Sequence, residues 1–143
     1  MNIFLKIIFN ISLLFLIVIS LYPGSLLGYL FYGNLGQQPE LIDNPFGTTI
    51  NHFLCYLYIS LLGFFIYLRD KNFIKIVYGL LFLSIILEIF HFLVPNRSFQ
   101  IGDLVGNILG VVVAYLVIKI YLFIIELWTN LTKEKKVLKK NFK

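Results

Sequence analysis

Six side chains in this sequence could take part in chemistry, because they are charged or strongly polar and lie within or beside long apolar stretches. They are His52, Glu88, His91, Arg97, Asp103 and Asn107. Polar groups inside a membrane are costly, so each needs a specific reason to be there. Glu88 in an apolar setting could act as an acid or base, and Arg97 offers a forked donor suited to phosphate or carboxylate. These residue types indicate a polar binding site.

The same residues also have structural interpretations, which the sequence leaves open. Asp103 at a helix start would be a good N-cap. Glu88 could form a buried pair with Arg97 or with a histidine, and His52 could anchor a helix at the membrane interface. No ligand spacing is diagnostic of a metal, so we predict no metal and no cofactor. The residues alone do not decide whether the protein is an enzyme.

Nucleophilic catalysis has little support in the sequence. Cys55 follows His52 by three residues, but a single cysteine in an apolar stretch is usually a small apolar filler. The sequence contains no GxSxG, no HExxH and no glycine loop of the phosphate-binding type, each of which would indicate a known catalytic arrangement.

Four apolar stretches must position the six side chains. They cover residues 3–22, 52–68, 76–94 and 104–127, and each is near the ~20 residues that a helix needs to cross a ~30 Å hydrocarbon core. Of the 143 residues, 59% are hydrophobic and 13% are charged, which excludes a soluble globular enzyme, a disordered chain and a nucleic-acid-binding domain. We predict an all-α membrane protein with four transmembrane helices, comprising one domain at 1–132 and a basic tail at 133–143.

The distribution of lysine and arginine predicts the orientation. Basic residues lie before the first stretch, between the second and third, and after the fourth: Lys6; Arg69, Lys71 and Lys75; and six lysines within 133–143. The other connections hold only Arg97. By the positive-inside rule, both termini face the cytoplasm of a bacterial inner membrane. The first stretch lacks a small-residue cleavage site, so we expect it to be retained as a helix.

Two connections then lie on the outer side, at residues 23–51 and 95–102. The first contains the apolar segment SLLGYLFYG, which is too short to span and is predicted to be interfacial or re-entrant. The second is short, so the third and fourth helices are antiparallel neighbours, and the six polar residues converge in the outer third of the bundle. Gly106 and Gly110 form a small-xxx-small pair that favours helix packing.

A block from Glu88 to Gly110, EIFHFLVPNRSFQIGDLVGNILG, resembles the signature of the VanZ-like family, with Glu, Pro, Arg, Asp, Asn and Gly in register. The segment His52-Phe-Leu-Cys-Tyr56 resembles a second family element, and Tyr22-Pro23 also suits the family. The chain departs from the pattern at His91, where a Gln is usual, and at Thr48-Thr49, where an Asp-Lys pair is common.

The resemblance implies a small bacterial membrane protein of the cell envelope. The family's namesake is associated with low-level resistance to the glycopeptide teicoplanin, and its biochemical activity is not established. The resemblance therefore supplies a cellular context without a reaction.

Three functions of different classes fit these observations. The first is a polar outer-face pocket that binds a lipid-linked or peptidoglycan-related envelope component. The second is an accessory or assembly subunit of a larger membrane complex, in which the polar residues join helices. The third is a membrane enzyme with Glu88 or His52 as the base. The expected partners are membrane lipids and, for the second function, other membrane protein subunits; no nucleic-acid partner is expected.

Overall fold

The computed structural model describes residues 3–39, 42 and 45–141, with side chains described as far as residue 133. The described residues form five helices and no strand: α1 Ile3–Leu21, α2 Leu26–Tyr32, α3 Thr49–Tyr67, α4 Phe73–Phe90 and α5 Ile101–Asn141. Four helical segments are long and apolar enough to cross a membrane, namely Ile3–Leu21, Thr49–Tyr67, Phe73–Phe90 and Ile101–Lys133. The all-α class and the four spans predicted from the sequence are confirmed.

The helix boundaries differ from the apolar stretches at the end of the bundle that carries the polar residues. α3 begins at Thr49, before His52, and α4 ends at Phe90 rather than at residue 94. Pro95 explains the early end of α4, because proline lacks an N–H and disfavours helical geometry in the residue before it. Residues 91–96 form turns instead, and Asn96 adopts a positive φ of 58°. Glu88 therefore lies in the last turn of α4.

The main helix pair is α3 against α5, and three glycines on α5 allow the close approach. Gly102, Gly106 and Gly110 are spaced four residues apart and share one helix face. A Cβ built on Gly106 would lie 2.7 Å from the Thr49 carbonyl oxygen, and one on Gly110 would lie 2.6 Å from the Phe53 carbonyl oxygen. At these positions any residue larger than glycine would push the α3 backbone away from α5.

The apolar core lies along α3 and α5 and towards the bundle end at Tyr67. Its buried members are Phe9, Tyr56, Ile59, Phe64, Ile66, Val77, Leu80, Val111, Ala114 and Ile118. α1 contributes a single fully buried side chain, Phe9, whose ring packs edge-on to Tyr67 with centroids 6.0 Å apart. α1 is therefore the least buried of the four spans.

The connection between α1 and α3 contains the short helix α2. Ser25 caps it by accepting a hydrogen bond from the Gly28 N–H at 2.9 Å, and Gly33 ends it in the left-handed conformation with φ 68°. The Ser25 N–H donates to the Leu35 carbonyl at 2.6 Å, which folds the following segment back onto α2. The exposed residues of α2 include Tyr29, Leu30 and Phe31. The interfacial or re-entrant placement of this segment stays a prediction.

α5 is longer than any stretch predicted from the sequence. Its 41 residues continue to Asn141, across residue 133, where the sequence analysis places the start of the basic tail. At 1.5 Å per residue the helix is about 60 Å long. It therefore extends well past the residues that pack against α3.

Candidate functional site

The first part of the site joins the start of α3 to the start of α5. The Thr49 hydroxyl donates to Asp103 Oδ1 at 3.0 Å, and His52 Nε2 lies 3.4 Å from Asp103 Oδ2. Asp103 is buried at 3% exposure, and it is the third residue of α5. It is thus not the N-cap, because the helix begins two residues earlier. Its carboxylate instead receives two contacts from α3.

Asn107 extends this contact to α4. Its amide nitrogen donates to the Ser84 carbonyl at 3.4 Å, and its amide oxygen lies 3.1 Å from His52 Nδ1. Since an amide oxygen can only accept, His52 Nδ1 is the donor in this orientation. One asparagine therefore links α3, α4 and α5 within the buried interior.

The second part of the site is the pair Glu88 and His91. Glu88 is fully buried at 0% exposure, and its Oε1 accepts from the Gln100 N–H at 3.0 Å and lies 3.2 Å from His91 Nδ1. The His91 ring and the Glu88 carboxyl group are therefore within hydrogen-bond distance of each other. Within the described part of the chain, Glu88 Oε2 is buried without a hydrogen-bond partner. Such an atom calls for a functional explanation in a native structure.

His91 and Arg97 together hold the last turn of α1. His91 Nε2 lies 3.1 Å from the Ser20 carbonyl oxygen. Arg97 donates from Nη2 to the Ile19 carbonyl at 3.1 Å and from Nε to the Tyr22 carbonyl at 3.4 Å. The last carbonyls of a helix have no intrahelical partner. The site therefore supplies the donors that the end of α1 lacks.

Arg97 keeps its positive charge in this position. Burial lowers the pKa of its guanidinium, while the negative charges of Glu88 and Asp103 act in the opposite direction. An arginine remains protonated in proteins, and its guanidinium carries five N–H donors, of which the α1 carbonyls use two. Arg97 can therefore still donate to another group.

The two parts of the site meet beside a cavity of about 90 Å³. The rings of His52 and His91 lie edge-on with centroids 6.4 Å apart, and both rings line the cavity together with Arg97. The remaining lining residues come from α1, α2, the segment after α2 and the start of α3: Leu16, Ile19, Ser20, Ser25, Leu26, Leu27, Gln38, Pro39, Thr48, Asn51, Cys55 and Tyr56. A cavity of this size, mostly apolar with a few polar groups, has room for several water molecules.

The ring nitrogens of both histidines are engaged within the protein. Both ring nitrogens of His52 and both of His91 face oxygen atoms of the protein. A general base or nucleophile needs a nitrogen that can reach the substrate. Among the described residues, no three His, Cys, Asp or Glu side chains are grouped as a metal site would require.

All six residues singled out from the sequence lie in this one region, which we call the polar cluster. His52, His91 and Arg97 face the cavity, whereas Glu88, Asp103 and Asn107 are buried at 0%, 3% and 2% exposure. The sequence analysis left open whether Glu88 pairs with Arg97 or a histidine. The structure pairs it with His91, and Arg97 contacts the carbonyls of α1.

Several members of the network were missed from the sequence. Thr49, which stands where the family pattern has a charged residue, lies one turn before His52 and donates to Asp103. That i, i+3 spacing could have revealed it. Gly102 extends the GxxxG pair of Gly106 and Gly110 by one turn and could have been found from its spacing. The Ser20, Ile19 and Tyr22 carbonyls give no sequence signal, since every residue has one.

Fold and site together define a small helical membrane protein with a buried polar cluster at one end. A sequence model of the VanZ/LLP1 family matches residues 2–124, so the chain belongs to that family. A search of curated proteins found no significant match. A search of solved structures found none either.

Proposed function

We propose that the protein is a cell-envelope membrane protein whose cavity binds a polar, acceptor-rich group of an envelope component, either lipid-linked or related to peptidoglycan. The observation that carries the proposal is the cavity wall, where the guanidinium of Arg97 and the rings of His52 and His91 lie among leucine side chains. Ligand sites typically combine an apolar lining with a few placed polar groups of this kind.

The distribution of charge favours an anionic group such as phosphate. The cationic Arg97 lines the cavity, whereas the carboxylates of Glu88 and Asp103 are buried and engaged by the histidines. A guanidinium binds phosphate or carboxylate through parallel N–H donors, and such charge-assisted bonds are stronger than neutral ones. Arg97 therefore gives the cavity wall a positive charge and N–H donors that the protein does not use.

The proposed location is the bacterial inner membrane with both termini in the cytoplasm. Support comes from the basic residues, which lie in the first turn of α1, from the end of α3 to the first turn of α4, and after the apolar part of α5. The positive-inside rule places those segments in the cytoplasm. The polar cluster lies at the other end of the bundle and would face the outer side, where peptidoglycan and its lipid-linked precursors are used.

A binding titration tests this function. The purified full chain in detergent is titrated with a polyprenyl monophosphate, with Arg97→Gln as the test variant and Arg69→Gln as the matched control. Arg69 is exposed in the connection after α3. Because a hydrogen bond to a charged group contributes about 1.5–3 kcal/mol, the Kd should rise about tenfold to a hundredfold in Arg97→Gln. It should stay unchanged in Arg69→Gln.

A thermal unfolding curve of each variant separates lost binding from lost structure, because Arg97 also holds α1. Gln38→Ala gives a second test, since it removes a polar group from the cavity wall and leaves the α1 carbonyl contacts in place. Normal Kd values in both Arg97→Gln and Gln38→Ala would count against the cavity as the binding site.

A second candidate function is an accessory or assembly subunit of a membrane complex. It is favoured by α5, on which every side chain from Lys119 to Leu131 is exposed. These residues include Phe123 at 60% and Trp128 at 71% exposure. Purification in mild detergent tests this second function. A stoichiometric protein partner should co-elute, and Phe123→Ala should weaken the association with that partner. Phe82→Ala on α4, with 67% exposure, is the matched control.

A further inference from the structure

Cys55 is the one exposed residue among the described residues that line the cavity. Cys55 is exposed, lines the cavity and lies in the second turn of α3, inside a span long enough to cross the membrane. Tyr58 and Phe65, at i+3 and i+10 on the same helix face, are 58% and 60% exposed. In a membrane protein, a helix face with exposed aromatic side chains at this spacing is expected to contact lipid. The mouth of the cavity therefore lies on a face that would contact acyl chains.

The opposite wall of this mouth is α1, through Leu16, Ile19 and Ser20. α1 buries only Phe9 in the core, near the far end of the bundle. At the cavity end its attachments include the hydrogen bonds from Arg97 and His91 to backbone carbonyls. This wall is thus held by two of the side chains, Arg97 and His91, that would meet an anionic ligand.

A third wall of the cavity is formed by the segment from Ser25 to Pro39, which contains α2. Ser25, Leu26 and Pro39 line the cavity from this segment. The segment is fixed by the Ser25 N–H bond to the Leu35 carbonyl at 2.6 Å and by the Asn51 amide, which donates to the Pro39 carbonyl at 2.7 Å. Gly28 packs against the Gln37 carbonyl with no space for a Cβ. These contacts hold the backbone of this wall in one position.

From these three walls we infer that the ligand reaches the cavity sideways from the bilayer, between α1 and α3, and is therefore a lipid with an anionic, phosphate-type headgroup. The inference rests on the proposed binding function. Of the two ligand classes proposed there, lipid-linked and peptidoglycan-related, it selects the lipid-linked class. The headgroup lies against Arg97, His52 and His91, and the chain leaves past Cys55 and Leu16 into the surrounding lipid. A free, water-soluble phosphate compound lacks the chain that this route accommodates.

Cys55 provides the measurement, because it is the only cysteine in the sequence. The full chain is placed in lipid nanodiscs, and intact-mass spectrometry follows the alkylation of Cys55. The first comparison is between N-ethylmaleimide, which enters membranes, and a trimethylammonium methanethiosulfonate, which does not. The second comparison adds a polyprenyl monophosphate to the lipid or glucose 1-phosphate to the buffer.

We expect N-ethylmaleimide to modify Cys55 and the charged reagent to leave it unmodified. A polyprenyl monophosphate at ten times its Kd leaves about a tenth of the sites empty, so the labelling rate should fall about tenfold. Glucose 1-phosphate should have no effect. The control is the Cys55→Ala/Tyr58→Cys variant, whose thiol shares the lipid-facing side of α3 without lining the cavity. Its labelling rate should be the same with and without the lipid.

The other outcomes separate this inference from the proposed function. Equal protection by glucose 1-phosphate, or rapid reaction with the charged reagent, would show that the cavity opens to water, which overturns lateral access and leaves binding intact. If neither probe protects Cys55 but the Arg97 titration shows saturable binding, the ligand binds away from Cys55, and lateral access is overturned as well. No protection and no binding would overturn both proposals.

Discussion

The two ends of the helix bundle are built from different chemistry. At the end near Tyr67, aromatic rings pack against one another: Phe64 lies 5.6 Å from Phe73 and 6.4 Å from Tyr115, measured between centroids. Two lysines also lie over aromatic rings there, Lys6 over Tyr67 and Lys119 over Tyr115. At the other end, the buried groups include Glu88, His91, Asp103 and Asn107.

The comparison indicates that the polar cluster is not needed merely to join helices. In lipid, helices associate through close packing and interhelical hydrogen bonds, and small residues with aromatic contacts can supply the packing. The glycine face of α5 and the aromatic end already provide this. A buried carboxylate adds a large desolvation cost, so its presence calls for a role beyond joining helices, and the proposed binding function supplies one.

The largest expected effect comes from removing one partner of the buried pair. In Glu88→Leu, His91 and the Gln100 N–H lose their acceptor, and breaking a buried pair in this way costs about 3–5 kcal/mol of unfolding free energy. Glu88→Gln keeps an acceptor oxygen and should lose about 1–3 kcal/mol. Denaturant unfolding of the protein in bicelles measures both.

The double variant Glu88→Leu/His91→Phe sharpens the comparison. Replacing a whole buried pair by apolar residues is often neutral, so this variant should regain most of the stability that Glu88→Leu loses. It should not regain binding of the polyprenyl monophosphate, because the polar ring of His91 that lines the cavity and contacts the end of α1 is gone. Recovery of both stability and binding would show that the pair has only a structural role.

The next effect concerns the packing of α3 against α5, which positions the whole polar cluster. Gly110→Ala places a Cβ 2.6 Å from the Phe53 carbonyl oxygen, and the resulting overpacking should cost about 1–3 kcal/mol. Gly79→Ala is the matched control, because a Cβ there meets nothing within 4 Å. It should be neutral or stabilising by up to about 1 kcal/mol. Equal unfolding midpoints for the two variants would contradict the close packing described for α5.

The smallest effect lies at the boundary between the two ends. The Tyr56 hydroxyl donates to the Leu83 carbonyl at 3.3 Å, so Tyr56→Phe should lose about 0.5–1.5 kcal/mol. Tyr58→Phe, on the exposed face of the same helix, should leave the unfolding free energy unchanged. A loss in Tyr58→Phe as large as that in Tyr56→Phe would mean that the measured change does not report this hydrogen bond.

Hydropathy and short connections predicted much of this structure. The four spans follow from the apolar stretches, and the short connection after α4 brings Glu88 to Gln100, next to the start of α5, and Asn107 to Ser84 of α4. The helix ends were less predictable. Thr49 is neutral and Phe90 is apolar, so each residue fits equally well inside a helix or just outside its end. The partners of Arg97 could not be predicted, since they are backbone carbonyls at the end of a helix whose position depends on tertiary packing.

Native mass spectrometry of the chain, released from mild detergent after purification from its own membranes, tests whether the cavity holds a lipid. We expect a single chain that carries a phosphate-bearing lipid, with the lipid lost in Arg97→Gln and retained in Arg69→Gln. A chain that bears no lipid and elutes in a stoichiometric complex with another protein would contradict this expectation, and would make the polar cluster part of an assembly subunit.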